Sequence, residues 1–137
     1  MRTPLVATLA AFFVALLTAN AAATLKYGHP EKIRCKISYC DISAPYLNRW
    51  VKWGEKPLSD HWAASDDLPF GTKIFVPYWV TDRKGRRVKK TIFRIIADRP
   101  KARPSYTKVE PYLHPRYIAK IGPHLSGWKM VTVIRPI

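Results

Sequence analysis

Two apolar stretches joined by a turn constrain this chain more than any other feature. Residues 73–81, Lys-Ile-Phe-Val-Pro-Tyr-Trp-Val-Thr, form the aromatic and β-branched run typical of a strand. Pro77 inside it argues for an edge position or a bulge, because proline cannot donate to a ladder. Asp82-Arg83-Lys84-Gly85 is turn chemistry, with Gly85 suited to positive φ. Residues 88–97 then read as the partner strand of a hairpin. Such a hairpin leaves strand edges that the rest of the chain must hide.

The other segments agree with that demand. Ile33, Cys35, Ile37 and Tyr39 alternate with Arg34, Lys36 and Ser38, the period of a half-buried strand. Residues 41–67 have no clean period and hold Tyr46, Trp50, Trp53 and Trp62 among Pro45, Gly54 and Pro57, which predicts a loop with one helical turn near 46–51. A proline-rich loop is expected after Asp98-Arg99-Pro100, over 101–111. His114-Pro115 followed by residues 116–121 predicts a short helix, with Pro115 at the first helical position and Gly122 at the C-terminal cap. Residues 128–134 read as a closing strand. The pattern is mainly β with one or two short helices, and a small barrel is the natural way to remove so many edges.

Length and composition set the outer limits. The 137 residues amount to one ordinary domain, and 47% hydrophobic residues are too many for a disordered chain despite a formal charge of +15. Internal repeats, a collagen period and a long coiled coil are absent from the sequence, and a doubly wound cofactor-binding sheet does not fit the length. Part of the apolar fraction lies in a leader: Arg2, then a 13-residue apolar run from Leu5 to Leu17 broken only by Thr8, then the small residues around Ala21, Ala22 and Ala23. This is the pattern of a secretory signal peptide over residues 1–21, shorter than the ~18–20 apolar residues of a membrane anchor. Cleavage after Ala21 would leave residues 22–137 as an exported domain, periplasmic or secreted, without stable membrane insertion.

Export changes the reading of the cysteines and of the charge. Cys35 and Cys40 are the only cysteines, and an oxidising compartment allows a disulfide between them. The i, i+5 spacing then requires a bend to bring the α-carbons close; the alternative is two buried thiols. His29, His61, His114 and His124 show no metal-ligand spacing, so no metal or other cofactor is expected. For an exported chain the expected partner is an anionic wall polymer such as peptidoglycan rather than nucleic acid, and a monomer is expected. The one dense basic cluster, Arg83, Lys84, Arg86, Arg87, Lys89 and Lys90, brackets the hairpin turn.

The segment Ala63-Ala64-Ser65-Asp66-Asp67-Leu68-Pro69-Phe70-Gly71-Thr72, with Val76 four residues on, resembles the Ala-Ala-x-x-x-Leu-Pro-Phe-Gly-Thr stretch of the double-psi β-barrel family. That family includes the rare lipoprotein A-like septal lytic transglycosylases, the barwin-like proteins, the expansins and the family-45 endoglucanases. Arg94-Ile95-Ile96-Ala97-Asp98-Arg99-Pro100 is similar to the family's strand ending in Asn-Asp-Arg-Gly-Pro. Leu113 to Gly122 resembles its short helix, and Met130 to Ile134 its last strand. The resemblance implies a six-stranded double-psi β-barrel.

It also implies chemistry. In the lytic members the matching aspartate protonates the glycosidic oxygen, which assigns that role to Asp98, and the sugar's own hydroxyl is the nucleophile. Hydrolysis needs a second carboxylate at ~5–10 Å, and Tyr39-Cys40-Asp41 is loosely similar to a family-45 context that would make it Asp41. Ser65, where the lytic members carry a histidine, and Arg99 are the matching substrate-binding positions. Trp50, Trp53 and Trp62 are the expected wall of a sugar-binding groove. The chain lacks the motif glycine between Arg99 and Pro100, and has Tyr112 where the family opens its helix with an aspartate. An expansin-like or barwin-like module that binds polysaccharide without cleaving it is the alternative.

Overall fold

The computed structural model describes residues 25–100 and 104–137, so the leader expected over residues 1–21 lies outside the described residues. The alternation read from the sequence becomes strand β1, Glu31–Ile37, with Cys35 and Ile37 buried and Arg34 and Lys36 exposed. A two-residue strand β2, Cys40–Asp41, follows, and then β3 at Trp62–Ser65. The hairpin comprises β4, Lys73–Thr81, and β5, Arg87–Asp98, paired along the whole of β4. Strand β6, Lys108–Leu113, helix α1, Pro115–Leu125, and β7, Gly127–Ile134, complete the chain.

Six of these strands close into a barrel in the order β1-β7-β4-β5-β3-β6 and back to β1, with β2 pairing with the end of β6 on the same edge as β1. Two contacts are parallel, β1 with β6 and β3 with β5; the other four are antiparallel. Replacing β1, β3 and β4 by β5, β6 and β7, and the reverse, leaves this list of neighbours and directions unchanged. The barrel pairing therefore has an internal two-fold symmetry. The interior is filled by Ile37, Ile74, Val76, Ile96, Val109, Leu113, Val131 and Val133, none more than 1% exposed, and Leu125 of α1 joins them.

Both prolines within strands sit where a ladder hydrogen bond is not needed. Strand β7 pairs with β4 only as far as Phe75, so the edge of Pro77 faces a gap where the Lys129 ammonium donates to the Pro77 carbonyl at 2.8 Å. Pro111 shares its edge with Val109 and Leu113, whose carbonyls accept from Ser38 and Ile42. It therefore faces the break between β1 and β2. The expected loop over 101–111 is accordingly shorter, because β6 begins at Lys108.

Two other local expectations change. No helical turn forms at 46–51. Those residues belong to a small irregular hairpin with a Trp50–Pro57 bridge, and its only helical element is a 3-10 turn at Trp53–Glu55. The Arg49 guanidinium holds it by donating to the carbonyls of Ile42, Ala44 and Leu47. Pro115 does occupy the first turn of α1, and His114 caps it by accepting from the Arg116 amide. Gly122, however, does not end the helix; it lies inside it, buried against Tyr39.

A β-carbon at Gly122 would meet the Tyr39 ring at 2.9 Å. Gly122→Ala is therefore expected to cost about 1–3 kcal/mol, the scale of overpacking a fitted core. Urea unfolding of the variant beside the parent chain measures this, and an unchanged midpoint would contradict the fit.

Candidate functional site

Ala63 and Ala64 are consecutive on β3 and point to opposite faces of the barrel wall. Ala63 belongs to the barrel interior, whereas Ala64 packs outside with Val51, Ala97 and Tyr112. A second, smaller core thus lies between the outer wall formed by β5, β3 and β6 and the irregular hairpin that crosses over it. The candidate site is the open part of this layer.

A β-bulge aims the principal side chain. Ala63 pairs with Ile96 but Ala64 pairs with Asp98, so Ala97 is an extra residue and Asp98 turns outward beside Ala64. On the other side of Ala64 stands Glu110 of β6. Asp98, Ala64 and Glu110 line a cleft of about 420 Å³. Tyr39, Cys40, Arg99 and Tyr112 on the wall side, and Tyr46, Asn48 and Lys52 from the overlying hairpin, are among its other lining residues.

Asp98 is held at both oxygens. The Tyr112 hydroxyl donates to Oδ2 at 2.8 Å and the Arg99 amide to Oδ1 at 3.0 Å. Tyr112 is 3% exposed, and burial, then its bond to Asp98, pushes its phenol well above the usual range. It stays a neutral hydroxyl, able to donate to a carboxylate or accept from a carboxylic acid. Tyr112 thus supplies a polar contact at the position where the resemblance leads one to expect an aspartate. Glu110 pairs with the Lys108 ammonium at 2.8 Å. Cys40 faces the cleft, its thiol pushed up chiefly by burial and bonded to Tyr46.

Arg99 joins the two stretches that carry the resemblance. Its Nη1 donates to the carbonyls of Ser65 at 2.7 Å and Leu68 at 2.8 Å, and its guanidinium lies 4.0 Å from the Phe70 ring centre. Gly71 ends that loop at φ 90°, a conformation that favours glycine, and its amide donates to Ile96 on β5. The Leu-Pro-Phe-Gly-Thr loop is therefore clamped beside Asp98.

The remaining expected positions lie elsewhere. Ser65 is fully buried, its hydroxyl bonded to Asp67 and accepting from the Leu68 amide, so it presents nothing to the cleft. Asp41 accepts from the Ser43 hydroxyl and amide at a turn, which holds its carboxyl below the usual range, and it does not line the cleft. Trp53 and Trp62 pack edge to face at 6.3 Å, with the Lys56 ammonium 3.6 Å from the Trp53 ring centre. Trp50, 59% exposed, lines an open depression beside the cleft with Asn48, Lys52 and Glu55. None of the three tryptophans lines the Asp98 cleft; its rings are tyrosines. Cys35, in the barrel interior, and Cys40, in the cleft, are separate free thiols.

Among the described residues no group of three or more histidine, cysteine or acidic side chains could hold a metal ion, and no helix is long and apolar enough to cross a membrane. Comparison with protein-family models, with curated proteins and with solved structures finds no match to this chain.

Two measurements test this geometry. Tyr112→Phe deletes the donor to Asp98 Oδ2 and is expected to lower stability by about 1–3 kcal/mol, the usual cost of leaving a part-buried acceptor without its partner. Cys35, pushed from 9.0 up to about 12 by burial and by nearby Asp67, stays protonated in the native state where the unfolded chain releases its proton. The native state then binds more protons, so stability should fall as pH rises from about 9 toward 12. Cys35→Ala should flatten that decline in a melting series against pH.

Proposed function

We propose that this protein acts on β-1,4-linked glycan strands of the peptidoglycan type, with Asp98 as the proton donor. The observation that carries the reading is the carboxyl group turned by a bulge into a cleft and steadied by a buried tyrosine hydroxyl. In lytic cleavage Asp98 protonates the glycosidic oxygen as the anomeric C–O bond breaks. A hydroxyl of the same sugar attacks the anomeric carbon, and its proton passes to the Asp98 carboxylate. No water is consumed, and the product ends in an anhydro sugar. Tyr112 keeps donating to Oδ2 throughout, and the transferred proton is carried on a remaining lone pair of Asp98.

Glu110 gives this cleft a second carboxylate. It stands across Ala64 from Asp98, two strand spacings or roughly 10 Å between backbones, a separation that leaves room for a water molecule. Reducing-end products in place of anhydro ends would assign hydrolysis with Glu110 as the base.

The second reading is a wall-binding module without catalysis. It is favoured by the fact that both Asp98 oxygens already accept hydrogen bonds within the protein.

Incubation with purified sacculi followed by analysis of released fragments separates the readings. Cleavage is expected, and Asp98→Asn should reduce it by ~10²–10⁴-fold, the usual contribution of a general acid, with melting temperature and sacculus binding nearly unchanged. A parent protein that binds sacculi and releases nothing soluble selects the binding module.

A further inference from the structure

The barrel has a second outer wall, formed by the consecutive strands β1, β7, β4 and β5, and its composition differs sharply from that of the Asp98 wall. The residues between the core-facing positions are Lys32, Arg34 and Lys36 on β1, Trp128, Met130 and Thr132 on β7, Phe75, Pro77 and Trp79 on β4, and Arg87, Lys89, Thr91 and Phe93 on β5. Not one is acidic. Phe93 is 43%, Trp79 47%, Trp128 47% and Met130 53% exposed. Large exposed rings gathered on one wall mark an interaction surface more often than scattered ones do.

Register makes the patch continuous. Phe75 lies opposite Phe93 with ring centres 5.1 Å apart, and on its other side opposite Thr132, the outward neighbour of Met130. Met130 pairs with Arg34 and Trp128 with Lys36. The Arg34 guanidinium sits 4.7 Å from the Trp128 ring centre, and Trp128 packs at 5.2 Å against Tyr106, near which the Lys36 ammonium lies. An apolar strip thus crosses the wall beside a row of three cations spaced at every second residue of β1.

We propose that this wall is a binding surface for an acidic polysaccharide, with carboxylates on Lys32, Arg34 and Lys36 and sugar faces against Phe75, Phe93 and Met130. Charge complementarity selects a polyanion. The exposed apolar strip of Phe75, Phe93 and Met130 beside the cations offers sugar C–H faces a surface to pack on, and single-stranded nucleic acid is the competing polyanion in the test. The assignment uses nothing at Asp98, so a failure of glycan cleavage leaves it standing.

The test is a fluorescence titration with polygalacturonate, a linear uronic acid polymer, on the full protein at low and at physiological salt. Binding that weakens with salt is expected. Replacing Lys32, Arg34 and Lys36 together by Gln should weaken it about tenfold, roughly twofold for each exposed pair lost. Phe93→Ala, which leaves every charge in place, should also weaken binding, and it serves as the readout if the triple variant does not fold. Absence of binding to polygalacturonate, equal affinity for a neutral β-glucan, tighter binding of oligothymidylate, or variants that bind like the parent would each overturn the proposal.

Discussion

The structure depends on a short parallel contact. Strand β1 meets β6 through two residue pairs, Lys36 with Lys108 and Ile37 with Val109, supported by hydrogen bonds from Lys36 to Thr107 and from Ser38 to Val109. Without it the remaining five pairings describe an open, strongly twisted sheet whose ends expose unpaired backbone. With it the inward residues of all six strands face one another, and side chains as small as Val109 and Val133 are enough to fill the space. Closure converts a 137-residue chain with short strands into one with a dry interior.

Closure also decides where chemistry can lie. The interior is full of aliphatic side chains, so polar function belongs to the outside of the wall. There the bulge at Ala97 and the clamp of Arg99 act together: one turns Asp98 outward, the other locks the loop ending in Gly71 beside it. The irregular hairpin of residues 42–58 then supplies a roof, converting one patch of barrel surface into a cleft. Among the described residues the β1-β7-β4-β5 wall has no such roof, and the same alternation that buries its valines leaves its rings and cations exposed.

The sequence was most legible where one period held over a whole strand. Strands β1, β4, β5 and β7 and the start of α1 follow from alternation, turn chemistry and Pro115. Strand β3 escaped notice because it has four residues, three of them small, and is buried on both faces, which erases the period of two. Strand β6 was obscured by Pro111, which looks like loop until the break between β1 and β2 is known. Gly122 reads equally well as a cap or as a packing glycine, and only Tyr39 decides. At the candidate site, Asp98 and Arg99 were legible from a local motif. Glu110, Tyr39 and Tyr46 were not, and Tyr112 stood out only as a departure from the family pattern: Glu110 and Tyr112 come beside Asp98 through pairings between strands distant in sequence, and Tyr46 arrives on the irregular hairpin. The tryptophans misled because an irregular stretch can be aromatic for its own cohesion, as the Trp53–Lys56–Trp62 stack is.

The exchange symmetry of the barrel has a consequence for how the molecule forms. Each of the six pairings joins a strand of the set β1, β3, β4 to a strand of the set β5, β6, β7; none lies within a set. Neither half can therefore hold a sheet by itself, and the β4–β5 hairpin is the only barrel pairing that joins consecutive strands. A nascent chain has little to fold around until β7 is available, since β7 supplies a neighbour to both β1 and β4. Assembly is then late, governed by long-range contacts and slow for its size, and a chain of this topology stays threadable through a narrow passage until its last residues arrive.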